Sequence, residues 1–443
     1  MRCLILGSGL SGRAVSDYLL NINCEVKFAS NDDINKTTFD EEYLDRLFYG
    51  LSFIVVSPGI SPRIELIKQA KARKIKVVGE FDFGVSRLKS NIIAVTGTNG
   101  KTTTVSLINY LLRGFNNKVF LGGNIGVPVT SFISKDKEVD ITVLECSSFQ
   151  LETVQKFHPH IAAILNITPD HLNRHKTMKR YINAKYKITK NQTEKDYLIL
   201  NADDPNLNDN PPKTKAKILY FSTKKRVIGC YIKKGCIYFN DSLSETKLVS
   251  LSQIKLVGEH NISNILCAVL VVFLATNNKR LLENVKTFEP VAHRMEFVKR
   301  VNKIDFYNDS KATNIGSTIV ACKSFKNNIN LILGGSDKGY SFDDLFKNMP
   351  KNVKNLAIFG ETRYKIAFSA KKFGFDNYYI CDGLESSTKL LFRLSKPQDV
   401  ILLSPACASF DCFSNYKERG IFFRKIVKEI EDNENSLSQT EYS

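Results

Sequence analysis

The chain has 443 residues, which is too long for one hydrophobic core and predicts two or three domains. Its apolar fraction of 43% and charged fraction of 24% are typical of a globular protein. The longest apolar stretch, residues 265–275, is too short for a membrane span, and the four apolar residues 3–6 suit a first strand better than a secretory signal. We therefore expect a cytoplasmic protein with no membrane partner.

The net charge of +18 raises the question of a nucleic-acid partner. The lysines are spread along the whole chain among acidic residues and asparagines, so they predict a solvated surface that steers small anionic substrates and no nucleic-acid partner. The ten cysteines form no C-x-x-C pair, which favours reduced thiols over disulfides or zinc.

The first block, residues 1–90, alternates apolar strands at 3–6, 26–29 and 53–56 with helical segments, which predicts a doubly wound parallel sheet. The turn at 7–12 fits G-x-G-x-x-G. The second strand ends Phe-Ala-Ser30-Asn31 without an acid, so we favour a nucleotide-diphosphate pocket over an NAD site. Ser57 and Gly59 follow the third strand at the edge where ligands of open sheets bind, although a plain turn fits them equally well.

The second block, residues 91–290, opens with an apolar strand, a glycine-rich turn and a helix, the arrangement that cradles phosphate. Gly97 and Gly100 allow the tight turn, and Lys101 is placed to reach the β- and γ-phosphates. The hydroxyl of Thr102 or Thr103 is a candidate ligand for Mg²⁺. Val95 stands where the common G-x-x-x-x-G-K-[ST] pattern has its first glycine.

Two further apolar strands of this block end in polar groups. Glu145 follows one of them, where a carboxylate could hold Mg²⁺ beside a nucleotide, and His171 ends the polar cluster after the other. Tyr181 and Lys185 lie four residues apart and share a helix face. Their spacing does not distinguish a catalytic lysine from a surface lysine.

The third block, residues 291–443, again alternates, with strands at 305–307, 330–333, 356–359 and 400–403. Each strand leads into a loop, and the loops of parallel strands gather at one edge of the sheet. From Glu429 onward the chain is polar, and we expect a frayed tail.

The ordered set of motifs closely resembles the Mur ligases, the ATP-dependent amino-acid-adding enzymes of peptidoglycan synthesis, and within them the D-glutamate-adding branch. The motifs run over nearly the whole chain: G-T-N-G-K-T-T at 97–103, G-G-N-I-G at 122–126, L-E-C-S-S-F-Q-L-E at 144–152, N-I-T-P-D-H-L at 166–172, G-E-H-N-I-S-N at 258–264, H-R-M-E at 293–296, N-D-S-K-A-T-N at 308–314 and S-P-A-C-A-S-F-D at 404–411.

The resemblance implies three α/β domains: a Rossmann-like domain for a UDP-sugar at 1–90, a central P-loop ATPase-type domain at 91–290 and a Rossmann-like amino-acid domain at 291–443. It implies a monomer that uses ATP and two Mg²⁺ ions. The implied reaction phosphorylates the carboxylate of UDP-N-acetylmuramoyl-L-alanine, and the amine of D-glutamate then attacks the acyl phosphate.

The resemblance also implies roles for individual residues. Catalytic roles fall on Lys101, His171, Lys185 and Lys338, with Lys185 carbamylated. Metal binding falls on Thr102, Glu145, His171 and Lys185. ATP binding falls on Gly97, Thr98, Asn99, Gly100, Lys101, Thr102, Thr103, Asn261, Asn264, Arg294 and Asp309. UDP-sugar binding falls on Ser30, Asn31, Ser57, Gly59 and Asn124, and D-glutamate binding on Lys311, Thr313, Lys338, Ser409, Phe410 and Tyr416.

The chain departs from the family pattern at a few positions. Ser30-Asn31 stands where an Asp is frequent, Asn173 replaces an acid, and Tyr416 replaces the usual Phe. None of these changes removes an essential charge, so we predict an active enzyme. The alternatives are a sister ligase that adds another amino acid to a UDP-muramoyl peptide or glutamate to a folate, and a nucleotide-binding module without catalysis.

Overall fold

The computed structural model describes residues 1–114, 117–135, 138–252, 254, 259–289 and 292–440. It consists of two compact units. The first comprises Met1–Ile254 and Ser263–Phe288, and the second comprises Lys255–Ile262 and Glu289–Ser443. Among the described residues, no helix combines the length and apolar character needed to span a bilayer.

The first unit begins with a four-stranded parallel sheet in the order β2-β1-β3-β4. Its strands are β1 Arg2–Leu6, β2 Glu25–Phe28, β3 Phe53–Val56 and β4 Lys76–Gly79, and its helices are α1 Leu10–Asn21, α2 Asn31–Asn35, α3 Glu41–Phe48, α4 Glu65–Ala72 and α5 Glu80–Val85. The two central strands are nearly continuous apolar runs because helices cover both faces of the sheet.

The same unit contains a nine-stranded sheet in the order β13-β12-β11-β10-β9-β8-β5-β7-β6. Its strands are β5 Asn91–Thr96, β6 Val119–Gly123, β7 Ile141–Glu145, β8 Ile161–Ile164, β9 Tyr197–Asn201, β10 Lys217–Ser222, β11 Gly229–Lys233, β12 Cys236–Asn240 and β13 Glu245–Ser250. Only the pairs β11–β12 and β12–β13 are antiparallel. Strands β7, β5 and β8 are neighbours, so the loops at their carboxyl ends meet at one edge.

The helices of this part are α6 Lys101–Arg113, α7 Val129–Ile133, α8 Ser148–Glu152, α9 Leu172–His175, α10 Met178–Tyr186 and α11 Pro205–Asn208, with 3₁₀ turns at Lys187–Thr189 and Arg280–Thr287. Helix α12, Glu259–Thr276, belongs to this unit from Ser263 onward, and its residues 259–262 belong to the second unit. The core between helices and sheet is built from side chains such as Leu144, Leu151, Ile164 and Leu198, all fully buried.

The second unit is a six-stranded sheet in the order β14-β15-β19-β16-β17-β18, in which only β14 is antiparallel to its neighbour. Its strands are β14 Glu296–Val301, β15 Ile304–Asn308, β16 Ile329–Gly334, β17 Val353–Phe359, β18 Tyr378–Ile380 and β19 Val400–Leu403. Its helices are α13 Ile315–Lys323, α14 Asp343–Lys347, α15 Arg363–Lys372, α16 Leu384–Leu394 and α17 Tyr416–Thr440.

The predicted α/β class and the parallel sheets are confirmed. Over the described residues 429–440, the predicted frayed tail is wrong, because α17 continues to Thr440. Residues 441–443 of that prediction lie outside the described part of the chain. Ile430 packs in the apolar core, Glu431 pairs with Lys299 at 2.9 Å, and Glu434 accepts a hydrogen bond from Asn302 at 2.6 Å. These contacts stabilise a polar helix whose sequence alone suggests a solvated tail. The three-domain division at residues 90 and 290 stays a prediction.

Candidate active site

The phosphate loop, residues 97–103, follows buried strand β5 and includes the first three residues of helix α6. Gly97 has φ 151° and Gly100 has φ 85°, and both values favour glycine. A Cβ on Gly100 would lie 2.2 Å from Oδ1 of Asn264, and a Cβ on Gly97 would lie 3.0 Å from Cβ of Leu165. The loop therefore needs glycine at both positions, for its backbone conformation and for its close neighbours.

Asn166, at the end of β8, holds this loop in place. Its Oδ1 accepts a hydrogen bond from the Asn99 backbone N–H at 2.8 Å, and its Nδ2 donates to the Asn99 carbonyl at 3.0 Å. The Asn166 carbonyl also accepts from the Thr98 N–H at 2.9 Å. The polar cluster predicted after this strand thus includes a side chain that fixes the phosphate loop.

Glu145 lies at the end of β7 and is almost fully buried. Its Oε2 accepts a hydrogen bond from the Thr102 hydroxyl at 2.7 Å, and its Oε1 accepts from Nδ2 of Asn124 at 2.9 Å. The structure therefore brings together three residues that the sequence analysis placed in the metal and UDP-sugar sites. A hydroxyl and a carboxylate beside a phosphate loop are a donor set that fits Mg²⁺.

Two lysines converge on the Gly97 carbonyl. Nζ of Lys101 donates to it at 2.8 Å and to the Thr98 carbonyl at 2.9 Å, and Nζ of Lys185 donates to the same Gly97 carbonyl at 2.7 Å. Lys185 is only 1% exposed. Burial and the nearby Lys101 cation lower the pKa of Lys185 well below its ordinary value. A buried amine that loses its proton readily is a nucleophile, whereas an ordinary surface lysine is not.

His171 is the N-cap residue directly before helix α9 and has the left-handed conformation, with φ 54°. Its Nε2 lies 3.6 Å from Oδ2 of Asp170, and its ring centroid lies 4.8 Å from that of Phe149. Asp170 also acts electrostatically on Lys185, where it raises the pKa against the larger opposite effect of burial. His171, Asp170 and Lys185 therefore belong to one polar region beside the phosphate loop.

The glycine turn after β1 contacts the turn after β3. The Ser57 hydroxyl donates to the Gly7 carbonyl at 3.2 Å, and a Cβ on Gly12 would lie 1.9 Å from that same oxygen. The two turns therefore lie together at the carboxyl edge of the first sheet. Gly59 lies in the second of them, two residues after Ser57.

Ser30 caps helix α2, where its hydroxyl accepts from the Asp33 N–H at 3.0 Å. The sequence analysis missed Asp33, which the Ser-x-x-Asp capping pattern could have indicated. Burial alone would raise the pKa of Asp33, but hydrogen bonds from Tyr43 and Ser30 outweigh burial and lower it. An acid therefore does lie near the end of β2, three residues after Ser30, while Asn31 opens the helix.

In the second unit, Asp309 follows β15 and is buried. Its Oδ2 accepts from the Ser404 hydroxyl at 2.9 Å, and its Oδ1 accepts from the Met295 N–H at 3.3 Å. Burial raises its pKa to about 6, against the opposing effect of the Arg294 cation. Nε of Arg294 is buried with no hydrogen-bond partner among the residues that the structure describes. Arg294 and Asp309 thus form one predicted nucleotide region, and Asn261 is a buried residue of the same unit.

The predicted D-glutamate residues lie on loops at the carboxyl edge of the second unit's sheet. Nζ of Lys311 lies 5.3 Å from the centre of the Tyr416 ring, and Nζ of Lys338 donates to the Thr313 carbonyl at 2.8 Å. Ser409 is buried, whereas the Phe410 side chain is exposed. The structure places two cations and hydroxyl groups on these loops, and such groups can form charge-assisted hydrogen bonds with carboxylates.

The sequence analysis missed Arg419, which is fully buried on α17. Its guanidinium donates to the carbonyls of Ser310 at 2.8 Å, Cys407 at 3.1 Å and Ala408 at 3.2 Å, and burial lowers its pKa to about 10. It therefore joins the loop after β15 to the loop after β19. The available signal is that Arg419 continues the apolar stripe of Phe423, Ile426 and Ile430 on one helix face.

Comparison with known proteins places these features in one family. The model of the Mur ligase middle domain matches residues 95–272, and the model of the Mur ligase glutamate ligase domain matches residues 293–407. The UDP-N-acetylmuramoylalanine–D-glutamate ligase of Caldanaerobacter subterraneus subsp. tengcongensis is 39% identical, with 97% of this chain and 98% of the relative covered. The chain belongs to the Mur ligase family, a class of amide-bond-forming enzymes.

Solved structures agree with this fold. A pseudomurein peptide ligase type C from Methanothermus fervidus has a TM-score of 0.61 at 16% identity, covering 97% of this chain and 99% of its own. The MurF ligase from Thermotoga maritima in complex with ADP has a TM-score of 0.58 at 19% identity, covering 88% of this chain and 92% of its own. The full-length relative, not these structures, indicates which branch of the family the chain resembles, namely the D-glutamate ligases.

Proposed function

We propose that this chain is the ligase that joins D-glutamate to UDP-N-acetylmuramoyl-L-alanine at the expense of ATP, as a cytoplasmic monomer. The observation that carries the proposal is the convergence of Lys101 and Lys185 on the Gly97 carbonyl, in the unit that also pairs Thr102 with Glu145. A glycine-rich loop suited to phosphate, oxygen atoms suited to a metal and a buried amine lie together there, and this combination supports the proposal. The full-length similarity to D-glutamate ligases supports the substrate assignment.

A carboxylate is a poor electrophile, so it must first be converted to a mixed anhydride. A carboxylate oxygen of the substrate attacks the γ-phosphorus of ATP, the bond to the bridging oxygen breaks, and ADP leaves. The D-glutamate amine then attacks the acyl carbon, loses a proton, and expels inorganic phosphate from the tetrahedral intermediate. Both reactants in the first step are anions, so the site must neutralise charge.

Lys101 is assigned to the γ-phosphate, and the hydrogen bonds of its ammonium to the Gly97 and Thr98 carbonyls support this assignment because they keep the cation at the glycine-rich loop. Thr102 and Glu145 would hold one Mg²⁺, and His171 with Lys185 would hold a second. When bound, Mg²⁺ supplies charge neutralisation at the phosphate oxygens. Gly97 to Thr103 and Asn264 would contact the nucleotide.

Lys185 can serve a metal only as an anion, and its lowered pKa favours that conversion. The neutral amine adds to CO₂, an N–C bond forms, and a proton leaves to give an N-carboxylate. The burial that lowers the pKa of Lys185 also keeps bulk water from the product. A carbamate at this position therefore suits the local chemistry.

In the second unit, Asn261, Arg294 and Asp309 are assigned to the nucleotide. Lys311, Thr313, Lys338, Ser409, Phe410 and Tyr416 are assigned to D-glutamate, whose two carboxylates match the two lysines. In the first unit, Ser30, Asn31, Ser57, Gly59 and Asn124 are assigned to the UDP-sugar. Asn124 links this assignment to the metal site through its hydrogen bond to Glu145.

The test is phosphate release from ATP with UDP-N-acetylmuramoyl-L-alanine and, in separate reactions, D-glutamate, L-glutamate, meso-diaminopimelate or no amino acid. We expect release only with D-glutamate, together with a product of the joined mass. Release with another amino acid would replace the substrate assignment, and ATP binding without release would favour a non-catalytic module. Lys101→Ala should abolish release, whereas the exposed Lys118→Ala should not.

A further inference from the structure

Arg174, in the short helix α9, makes several polar contacts through its guanidinium. Its Nη1 donates to the Gly59 carbonyl at 2.9 Å, and its Nη2 donates to the Ile60 carbonyl at 2.9 Å and approaches the Pro58 carbonyl at 3.5 Å. Three successive carbonyls of the turn after β3 therefore surround one guanidinium. The Phe149 ring covers its face at 4.8 Å.

Glu152 also holds this guanidinium. Its Oε2 accepts from Nε of Arg174 at 3.0 Å and lies 2.9 Å from Nη2. Its Oε1 pairs with Nη2 of Arg63 at 3.0 Å, and Arg63 belongs to the same connection after β3. The Glu152 side chain is 4% exposed and that of Arg174 is 13% exposed, so this is not a solvated surface pair.

The contacts connect two regions to which the proposed function assigns different roles. Ser57 precedes the turn and hydrogen bonds to Gly7, in the region assigned to the UDP-sugar. The backbone carbonyl of His171, a residue assigned to the metal region, accepts a hydrogen bond from the backbone N–H of Arg174 at 3.1 Å. Arg174 thus spans from the His171 segment to the turn at 58–60.

We propose that Arg174, held by Glu152, is a positioning residue that fixes the turn at 58–60 relative to the His171 segment and thereby sets the affinity for the UDP-sugar. This inference rests on the proposed function for the identity of that substrate. A lysine keeps the charge but has one donor group in place of the planar fork, so Arg174→Lys should release the turn while Glu152 stays paired.

The test combines two measurements on the full chain. Hydrogen–deuterium exchange should show faster exchange in Arg174→Lys for peptides that cover residues 57–64, without added substrate. Steady-state kinetics should show a KM for UDP-N-acetylmuramoyl-L-alanine raised roughly 10- to 100-fold, with the KM for ATP within about 2-fold of wild type. A merely structural role would speed the exchange of residues 57–64 and leave the KM for UDP-N-acetylmuramoyl-L-alanine unchanged, and that result would overturn the proposal.

The control is Arg226→Lys, which alters an exposed pair with Glu245, Nε to Oε1 2.7 Å, elsewhere in the same unit. It should change neither measurement. Unchanged exchange at 57–64 in Arg174→Lys, or equal rises in both KM values, would overturn the proposal. If Arg174→Lys does not fold, Glu152→Gln tests the proposal in its place. This variant keeps an acceptor oxygen for Arg174, so exchange at 57–64 should be faster than in wild type but by less than is expected for Arg174→Lys. Wild-type inactivity toward D-glutamate would contradict the proposed function but leave the exchange result valid.

Discussion

Glu80 offers a quantitative test of burial, because its carboxyl lies in the first unit at 3% exposure. Its Oε1 accepts a hydrogen bond from the Thr130 hydroxyl at 2.7 Å. Burial raises its pKa from 4.5 to about 7. At about 1.4 kcal/mol per pKa unit, the ionised form destabilises the fold by about 3 kcal/mol once the pH exceeds the folded pKa.

The sign follows from proton binding. Below pH 4.5 both folded and unfolded Glu80 are protonated, and between pH 4.5 and about 7 the folded chain holds the extra proton, so its contribution to stability falls as the pH rises. Glu80→Gln retains an oxygen acceptor for Thr130 and carries no charge. We expect it to leave the free energy of unfolding unchanged at low pH and to raise it by about 3 kcal/mol at pH 8.

The assay is urea unfolding of the full chain followed by circular dichroism, at pH 4 and pH 8, for wild type, Glu80→Gln and the exposed control Glu42→Gln. The control should show no comparable pH-dependent gain. Equal stability of wild type and Glu80→Gln at pH 8 would refute the reasoning, since it would mean that the buried carboxylate is ionised at little cost.

Three further predictions concern the site. Lys185→Ala should lose turnover and regain part of it with added short carboxylates, while the exposed Lys179→Ala on the same helix stays active; full activity of Lys185→Ala would contradict the assigned role. Gly100→Ala should weaken ADP–Mg²⁺ binding by calorimetry at least about 10-fold, since left-handed backbone costs about 1–2 kcal/mol and the Cβ also meets Asn264. Gly374→Ala, with φ 71° and open space around its Cβ, should cost stability without altering that affinity. Arg419→Lys should raise the KM for D-glutamate more than that for ATP, because one ammonium cannot serve all the carbonyls that Arg419 reaches; equal KM changes would argue for a general loss of structure.

The buried strands could be predicted from the sequence because both faces of a parallel sheet are covered, which leaves continuous apolar runs. The predicted bounds of β3 and β19 coincide with those in the structure. Two strands with mixed polarity were missed. β14 reads E-F-V-K-R-V and β4 reads K-V-V-G. Both lie at an edge of their sheet, where water can hydrogen bond to backbone groups that no neighbouring strand pairs with.

The candidate site could be predicted where chemistry follows directly from local pattern. The phosphate loop and Glu145 each follow an apolar strand, and the carboxyl ends of neighbouring parallel strands meet. The burial of Lys185 and Arg419 does not follow from local pattern in this way, because it depends on residues that are distant in sequence. The pairing of Lys185 with the Gly97 carbonyl, for example, spans 88 positions.

The paired hydrogen bonds between Asn99 and Asn166 bear on the entropy of nucleotide binding. A glycine-rich loop that is mobile in solution must lose backbone freedom when it closes on phosphate, at roughly 1–2 kcal/mol per residue fixed. Asn166 restrains this loop when the chain folds. The loss of backbone entropy is therefore part of the free energy of folding and is not repeated when nucleotide binds. Part of the affinity for nucleotide is therefore determined by a side chain on the neighbouring strand, and stability and affinity will change together when that side chain is altered.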